Sequence, residues 1–218
     1  GYGPNGPTKE ENEKSDKTEF SENMTDTMLE RRIDAAVFNF IDVETTGLSP
    51  DSARVCEVAL IGFQGAARVN QFSSLVNPGG PIPPTASRIN GITDDMVRLS
   101  PAFAGVAPRL LDLLEDSVLV AHNAPFDLGF LKMEFSRLGL KMPALPVVDT
   151  LEIARCRWKF TNNRLGTIAK ELNISNENWH RALSDVEMTR KIFEHFVSAF
   201  KAREVGTVPF GNSPCIKL

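Results

Sequence analysis

An apolar run from Ala36 to Val43, closing on the acids Asp42 and Glu44, constrains this chain more than any other stretch. Such a run suits a central strand covered on both faces. Residues two apart on a strand project from the same face, so both carboxylates would leave together. Adjacent buried acids are costly without a cation; the other reading is that the strand has already ended and Thr45-Thr46-Gly47 is a turn carrying solvated acids. A second apolar run, Val118 to Ala121, leads into His122-Asn123-Ala124-Pro125-Phe126-Asp127, and near the C-terminus stands His180-Arg181-Ala182-Leu183-Ser184-Asp185. Four carboxylates and one histidine on three segments point to hard divalent cations, because crowded carboxylates repel unless a cation sits among them. Cations with a neighbouring imidazole suit cleavage of a phosphodiester by an activated water.

The remaining patterning is that of an α/β domain. Arg54 to Phe63 and Arg68 to Val76 read as strands joined at Gln64-Gly65 in a hairpin. Thr85 to Asn90 is a short helical turn ending at Gly91, and Pro101 to Leu114 has helical spacing. Pro125 to Leu138 reads as a helix with proline at its first position. Val147-Val148 is a short strand, followed by helices near Thr150 to Cys156, Leu165 to Leu172 and Ala182 to Phe200. These divide the chain into an acidic tail over 1–33 read as disordered, a domain over 34–202, and a loose tail over 203–218.

Charge is distributed unevenly. Residues 1–30 carry eight acids against three lysines, leaving the other 188 residues at +1 although the chain as a whole is at −4. A near-neutral body with four pocketed acids leaves a mildly basic surface, compatible with a polyanion. No window approaches the roughly 18 apolar residues of a membrane span, and no apolar N-terminal stretch resembles a signal peptide, so the expected location is cytoplasmic, without a membrane partner. Cys56, Cys156 and Cys215 are widely spaced and read as buried or idle thiols in a reducing compartment.

Taken singly, several candidates have ordinary explanations. Asp127 and Asp185 would each be favoured in a first helical turn by the dipole alone. His180 and Asp185 lie about 140° apart on a helical wheel, and converge only if His180 precedes the helix. His122 reads as a hydrogen-bonding loop residue, Asp149 as a helix cap and His195 as structural or exposed. Arg155, Arg157, Trp158, Lys159, Phe160 and Arg164 offer either a rim that tracks a nucleic-acid backbone or an ordinary exposed face.

In combination and in this order, Asp-x-Glu-Thr-Thr-Gly, His-Asn-Ala-x-Phe-Asp and His-x4-Asp resemble the three motifs of the DEDDh (DnaQ-like) 3′→5′ exonucleases, among them the proofreading epsilon subunits of bacterial DNA polymerase III and stand-alone relatives. The resemblance spans Val37 to Phe200 and includes Asn90-Gly91-Ile92-Thr93 and Val148-Asp149-Thr150-Leu151. It implies a ribonuclease H-like α/β fold, with a mixed five-stranded sheet whose first three strands are antiparallel, flanked by helices. It further implies that Asp42, Glu44, Asp127 and Asp185 hold two Mg²⁺ or Mn²⁺ ions and that His180 deprotonates the attacking water. Thr46, Gly47, Leu48 and Phe126 would line the terminal-nucleotide pocket. The implied reaction releases nucleoside 5′-monophosphates from single-stranded or frayed DNA 3′ ends, in proofreading or repair, with single-stranded nucleic acid as substrate and a DNA polymerase subunit as candidate partner. An RNA-trimming exoribonuclease of the same family and a non-catalytic nucleic-acid-binding subunit are the alternatives.

Overall fold

The structure, a computed structural model, describes residues 35–174 and 181–201. The proposed tails over 1–33 and 203–218, and His180 with them, lie outside the described residues. Five strands form one sheet: β1 (Val37–Thr45), β2 (Val55–Gln64), β3 (Ala67–Leu75), β4 (Val118–Ala121) and β5 (Val147–Asp149). Their order is β3-β2-β1-β4-β5; β1, β2 and β3 pair antiparallel, whereas β4 and β5 add parallel to β1 and to each other. This is the mixed ribonuclease H-like sheet that the resemblance implied.

Seven helices are described: α1 (Pro84–Asn90), α2 (Asp94–Val97), α3 (Phe103–Leu114), α4 (Ala124–Arg137), α5 (Thr150–Arg157), α6 (Leu165–Glu171) and α7 (Ala182–Lys201). Only α2 has no counterpart in the sequence reading, being too short for a helical period to show. Its Asp94 accepts a hydrogen bond from the Ile82 amide at 2.7 Å. Asn123 enters α4 in the left-handed conformation at φ 72°, which moves the helix start one residue ahead of the proline.

The period of two along β1 sorts the core into two layers. Ile41 and Val43 face a cluster with Phe103, Leu110, Phe130 and Phe135 from α3 and α4. Phe38 and Phe40 face the opposite layer, with Ile153, Ile168, Val186, Ile192 and Phe196 from α5, α6 and α7. A strand covered on both sides must be largely apolar on both sides, which explains the run; Asn39 interrupts it, buried, with its Nδ2 donating to the Leu113 carbonyl. Asp42 and Glu44 continue the row of Phe38 and Phe40 and therefore point toward the layer that contains α7.

Cys56 is a buried free thiol. Cys156 is exposed on α5, and Cys215 lies outside the described residues. His195 is exposed on α7.

Candidate active site

Asp42 and Glu44 lie inside β1, which continues to Thr45, so they are strand residues rather than solvated loop acids. Asp185 stands in the first turn of α7. One carboxylate oxygen from each of Asp42, Glu44 and Asp185 can be chosen so that all lie within 4.8 Å of one another. Asp127 is held separately. It is buried in the first turn of α4, in the opposite layer, and its Oδ1 accepts the Val43 backbone N–H at 3.0 Å. Since Val43 lies between Asp42 and Glu44, this bond fixes Asp127 against the strand that carries the other two.

The electrostatics of the group are strained. Burial, then repulsion from Asp127, Glu44, Asp185 and Glu57, holds the Asp42 carboxyl well above the usual carboxylate range. Burial pushes Glu44 up to about 8, with Asp185 and Glu57 adding to the rise and a hydrogen bond from Asn90 opposing it. Asp127 is pushed up to about 7, mainly by burial, against the lowering effect of the Val43 N–H. An all-oxygen donor set, converging and under-neutralised, fits a hard divalent cation, which would restore the ionised forms.

Two buried glutamates that sequence reasoning passed over hold the helices bearing these acids. Glu57 lies directly across from Glu44 in the β1–β2 register. It accepts from Arg181 Nη2 at 2.7 Å and from the Ala182 backbone N–H at 3.1 Å. That clamp fastens the start of α7, and hence Asp185, to β2. It also supplies a cation where two acids would otherwise face each other, a destabilising pairing. Glu134, on α4, accepts from Arg54 Nε and Nη2 at 2.8 and 2.9 Å and from the Val55 N–H at 3.1 Å. It ties α4, with Asp127, to the start of β2. A glutamate within a strand pattern such as Arg54 to Phe63 gives no sign of its partner, because Arg181 is 124 residues away.

Asn90 is buried at the end of α1. Its Nδ2 donates to the Thr45 carbonyl at 3.3 Å and its Oδ1 accepts from the Ile92 N–H at 3.0 Å. The Asn90-Gly91-Ile92-Thr93 segment thus buttresses the end of β1. Asp149 caps α5 as expected: its Oδ1 accepts from the Leu151 N–H and from the Asn123 N–H, each at 2.9 Å. His122 is the loop residue expected of it, with Nδ1 against Thr150 Oγ1 and Nε2 against the Asn163 carbonyl, each at 2.9 Å.

The residues expected at a nucleotide pocket follow β1. Thr46 is locked to Arg54 by two 2.9 Å hydrogen bonds, its N–H to the Arg54 carbonyl and the Arg54 N–H to its Oγ1. Gly47 packs on Ala53, and Leu48 is 85% exposed, an unusual position for so apolar a side chain. Phe126 is half-buried on α4 with its ring 5.0 Å from that of Phe130. The loop carrying Leu48 also leans on α4, since a Cβ on Gly129 would lie only 3.3 Å from Pro50 Cγ. Gly129 and Phe126 are three apart and share a helical face, so Leu48's loop and Phe126 lie on the same side of α4.

The aromatics of the expected rim turn inward instead. Trp158 packs on Phe196 with ring centroids 4.1 Å apart, and Phe160 packs against the same core layer. Arg155, Arg157, Lys159 and Arg164 remain exposed.

Among solved structures, the chain resembles exonuclease X in complex with 5′-overhanging duplex DNA, with a TM-score of 0.60 and 28% identity over 74% of this chain and 92% of that one. Its fold also matches exonuclease I bound to product, with a TM-score of 0.69 at 20% identity over 78% of this chain and 45% of that one. Among curated sequences it is 36% identical over 182 residues to the PolC-type DNA polymerase III of Listeria monocytogenes, covering 83% of this chain. It is 41% identical over 149 residues to that of Bacillus cereus, covering 68% of this chain. The chain spans only 12% and 10% of the length of those polymerases. The RNase T exonuclease family model matches residues 40–193, from the middle of β1 to the middle of α7, and the chain is thereby a member of that DnaQ-like exonuclease family.

Proposed function

We propose that the chain is a metal-dependent 3′→5′ exonuclease that removes nucleoside 5′-monophosphates from single-stranded or frayed DNA 3′ ends. The observation that carries this reading is the convergence of Asp42, Glu44 and Asp185 to within 4.8 Å, with Asp127 fixed beside them through Val43. In this reading Asp42, Glu44, Asp127 and Asp185 hold two Mg²⁺ or Mn²⁺ ions. Bound there, the cations would neutralise charge on the attacked phosphate and on the leaving oxygen.

The chain's own groups do the rest. His180 takes a proton from the attacking water; its neighbour Arg181 is anchored on Glu57. Water oxygen bonds to phosphorus, the bond from phosphorus to the 3′ oxygen breaks, and that oxygen takes up a proton. The released nucleotide keeps the 5′-phosphate and the shortened strand gains a 3′-hydroxyl. Thr46 and Gly47 shape the pocket for the terminal nucleotide, and Leu48 and Phe126 offer it apolar surface. Unpaired bases stack well on such surfaces, which favours single strands and frayed ends. We assign the exonuclease domain to residues 34–202, flanked by tails. We place the activity in the cytoplasm with a DNA polymerase subunit as candidate partner, on the likeness to PolC-type polymerases. Among the described residues, no helix is long and apolar enough to cross a membrane.

The test is incubation with matched 3′-labelled and 5′-labelled single-stranded DNA and RNA, with Mg²⁺, Mn²⁺ or EDTA. Immediate mononucleotide release from the 3′ label, a descending 5′-labelled ladder and inhibition by EDTA are expected, with DNA degraded faster than RNA. Faster RNA cleavage would make the chain an exoribonuclease, and no cleavage of either polymer would remove the catalytic reading. His180→Ala should slow turnover by about 10²-fold or more while leaving cation binding largely intact; near-parental rates at saturating metal would displace His180 as the base.

A further inference from the structure

Beside the carboxylates, the carboxyl ends of β4 and β5 open into a cleft of about 380 Å³ lined by His122, Asn123, Leu151, Arg155, Asn163 and Arg164. Its place relative to the candidate centre follows from strand register. Phe40 pairs with Val120 in parallel, and Ala121 pairs with Asp149. Continuing those rows brings His122 level with Asp42, one strand away, and Thr150 one strand further. With neighbouring strands about 4.8 Å apart, the far wall of the cleft stands on the order of 10 Å from Asp42, along the same sheet edge.

The lining is chemically mixed in a particular way. Arg155 and Arg164 are exposed guanidinium groups on either side of the Arg157 to Asn163 turn. Arg155 has a partner, Glu152 at 2.7 Å, but both side chains are exposed, at 55% and 41%, and such surface pairs yield readily to a competing anion. The Arg164 backbone N–H is taken by Asn162, which sets the course of the turn without involving the guanidinium. Leu151 supplies an apolar floor. Asn163 presents a shielded Oδ1 to which nothing among the described residues hydrogen-bonds. His122 and Asp149 brace the walls: one bonds the Asn163 carbonyl, and the other holds the Asn123 N–H.

A polyanion approaching three clustered carboxylates is repelled until cations compensate, so a strand feeding that centre needs positive surface beside it. Guanidinium forks bind phosphate oxygens in a bidentate manner, and an apolar floor accepts a sugar or base face. We propose that this cleft receives the phosphodiester backbone just upstream of the terminal nucleotide, with Arg155 and Arg164 as its phosphate ligands and Leu151 beneath the sugar or base. The assignment rests on the reading of the carboxylate centre as a phosphodiester hydrolase. It makes the cleft the part of the enzyme that distinguishes a polynucleotide from a mononucleotide ester.

The test uses two substrates with the full chain: a fluorescein-labelled oligothymidylate, and the p-nitrophenyl ester of thymidine 5′-monophosphate, which has no upstream strand. Arg155→Ala/Arg164→Ala should lower kcat/KM on the oligonucleotide about tenfold, chiefly through KM. Ester hydrolysis, which reads the carboxylate centre alone, should change less than about twofold. The dependence of log KM on log salt should lose about 0.7 per phosphate contact removed. Arg164→Lys should recover part of the loss, as a point charge without the fork. Unchanged oligonucleotide KM and salt slope in the double variant, with both substrates still hydrolysed, would overturn the cleft assignment while leaving the hydrolase intact. Failure of the parent to hydrolyse either substrate with Mg²⁺ or Mn²⁺ would overturn the hydrolase reading, and the cleft with it.

Discussion

Glu57→Gln isolates the clamp that delivers Asp185. Glu57 is 4% exposed at its side chain and accepts from both the Arg181 guanidinium and the Ala182 N–H, whereas Arg181 is 45% exposed. Removing one partner of a buried pair costs about 3–5 kcal/mol when the other is stranded. Here Arg181 can return to water and glutamine keeps one acceptor oxygen, so the loss should be about 2 kcal/mol, or about 4–8 °C in Tm for a chain of this size. The electrostatic change weakens cation binding, although losing a charge that repels Asp42 and Glu44 offsets part of the stability loss when no cation is bound. The Glu57–Arg181 pair is neutral, and the variant leaves a cation near a site that must attract cations. A loosened α7 start would also let Asp185 drift, and a shift of about 1 Å in a reacting constellation costs about 10²-fold in rate. Differential scanning fluorimetry with and without Mn²⁺ and exonuclease kinetics on one preparation provide the assay. Expected are a lower Tm, a smaller Mn²⁺-induced rise and kcat/KM down by about 10- to 100-fold. Glu57→Gln/Arg181→Gln should show a coupling of about 1–2 kcal/mol. Stability within about 0.5 kcal/mol of the parent and activity within twofold would refute the clamp.

Three further outcomes follow from the same structure. The Glu44 and Asp127 carboxyls are raised to about 8 and about 7. The stability that their protonated forms contribute is therefore complete below about pH 4 and lost as pH rises through those values. In EDTA, Tm should fall between about pH 6 and 9, and Mg²⁺ should suppress the fall because it binds the ionised forms; a flat or rising EDTA curve would contradict this. Asp42→Asn removes the most repelled charge of the cluster. At about pH 8.5 in EDTA it should raise Tm by about 2–8 °C while abolishing turnover and the cation-induced shift; a lower Tm would show that the carboxylate is compensated within the chain. Gly62→Ala would drive a methyl into the Asn39 and Asn70 amides that meet over it from the flanking strands. Chemical denaturation should report a loss of about 1–3 kcal/mol, and a loss below about 0.5 kcal/mol would mean the amides turn aside freely.

Much of the fold was legible in local pattern. The boundaries of β4 and the turn between β2 and β3 could be read from apolar runs and punctuation, because a buried strand must be apolar and a hairpin must turn at residues that tolerate it. Asp42 and Glu44 could be paired from their spacing alone, and Asp149 could be recognised as a cap, since both properties depend on residues within one element.

What the chain could not disclose locally depends on separations of tens of residues. That α7 lies on the Phe38–Phe40 side of the sheet, and so brings Asp185 to Asp42 and Glu44 while Asp127 arrives through the other layer, is decided by packing. The partners of Glu57 and Glu134, 124 and 80 residues away, are likewise a product of topology. The cluster at 155–164 shows the division within one segment. Composition alone could not separate its arginines from its aromatics, and only the second core layer, needing apolar bulk against Phe196, drew Trp158 and Phe160 inward and left Arg155 and Arg164 facing the cleft. Sequence determines which side chains carry the chemistry; tertiary packing decides which of them meet, because burial is a property of surfaces that form only when the layers close.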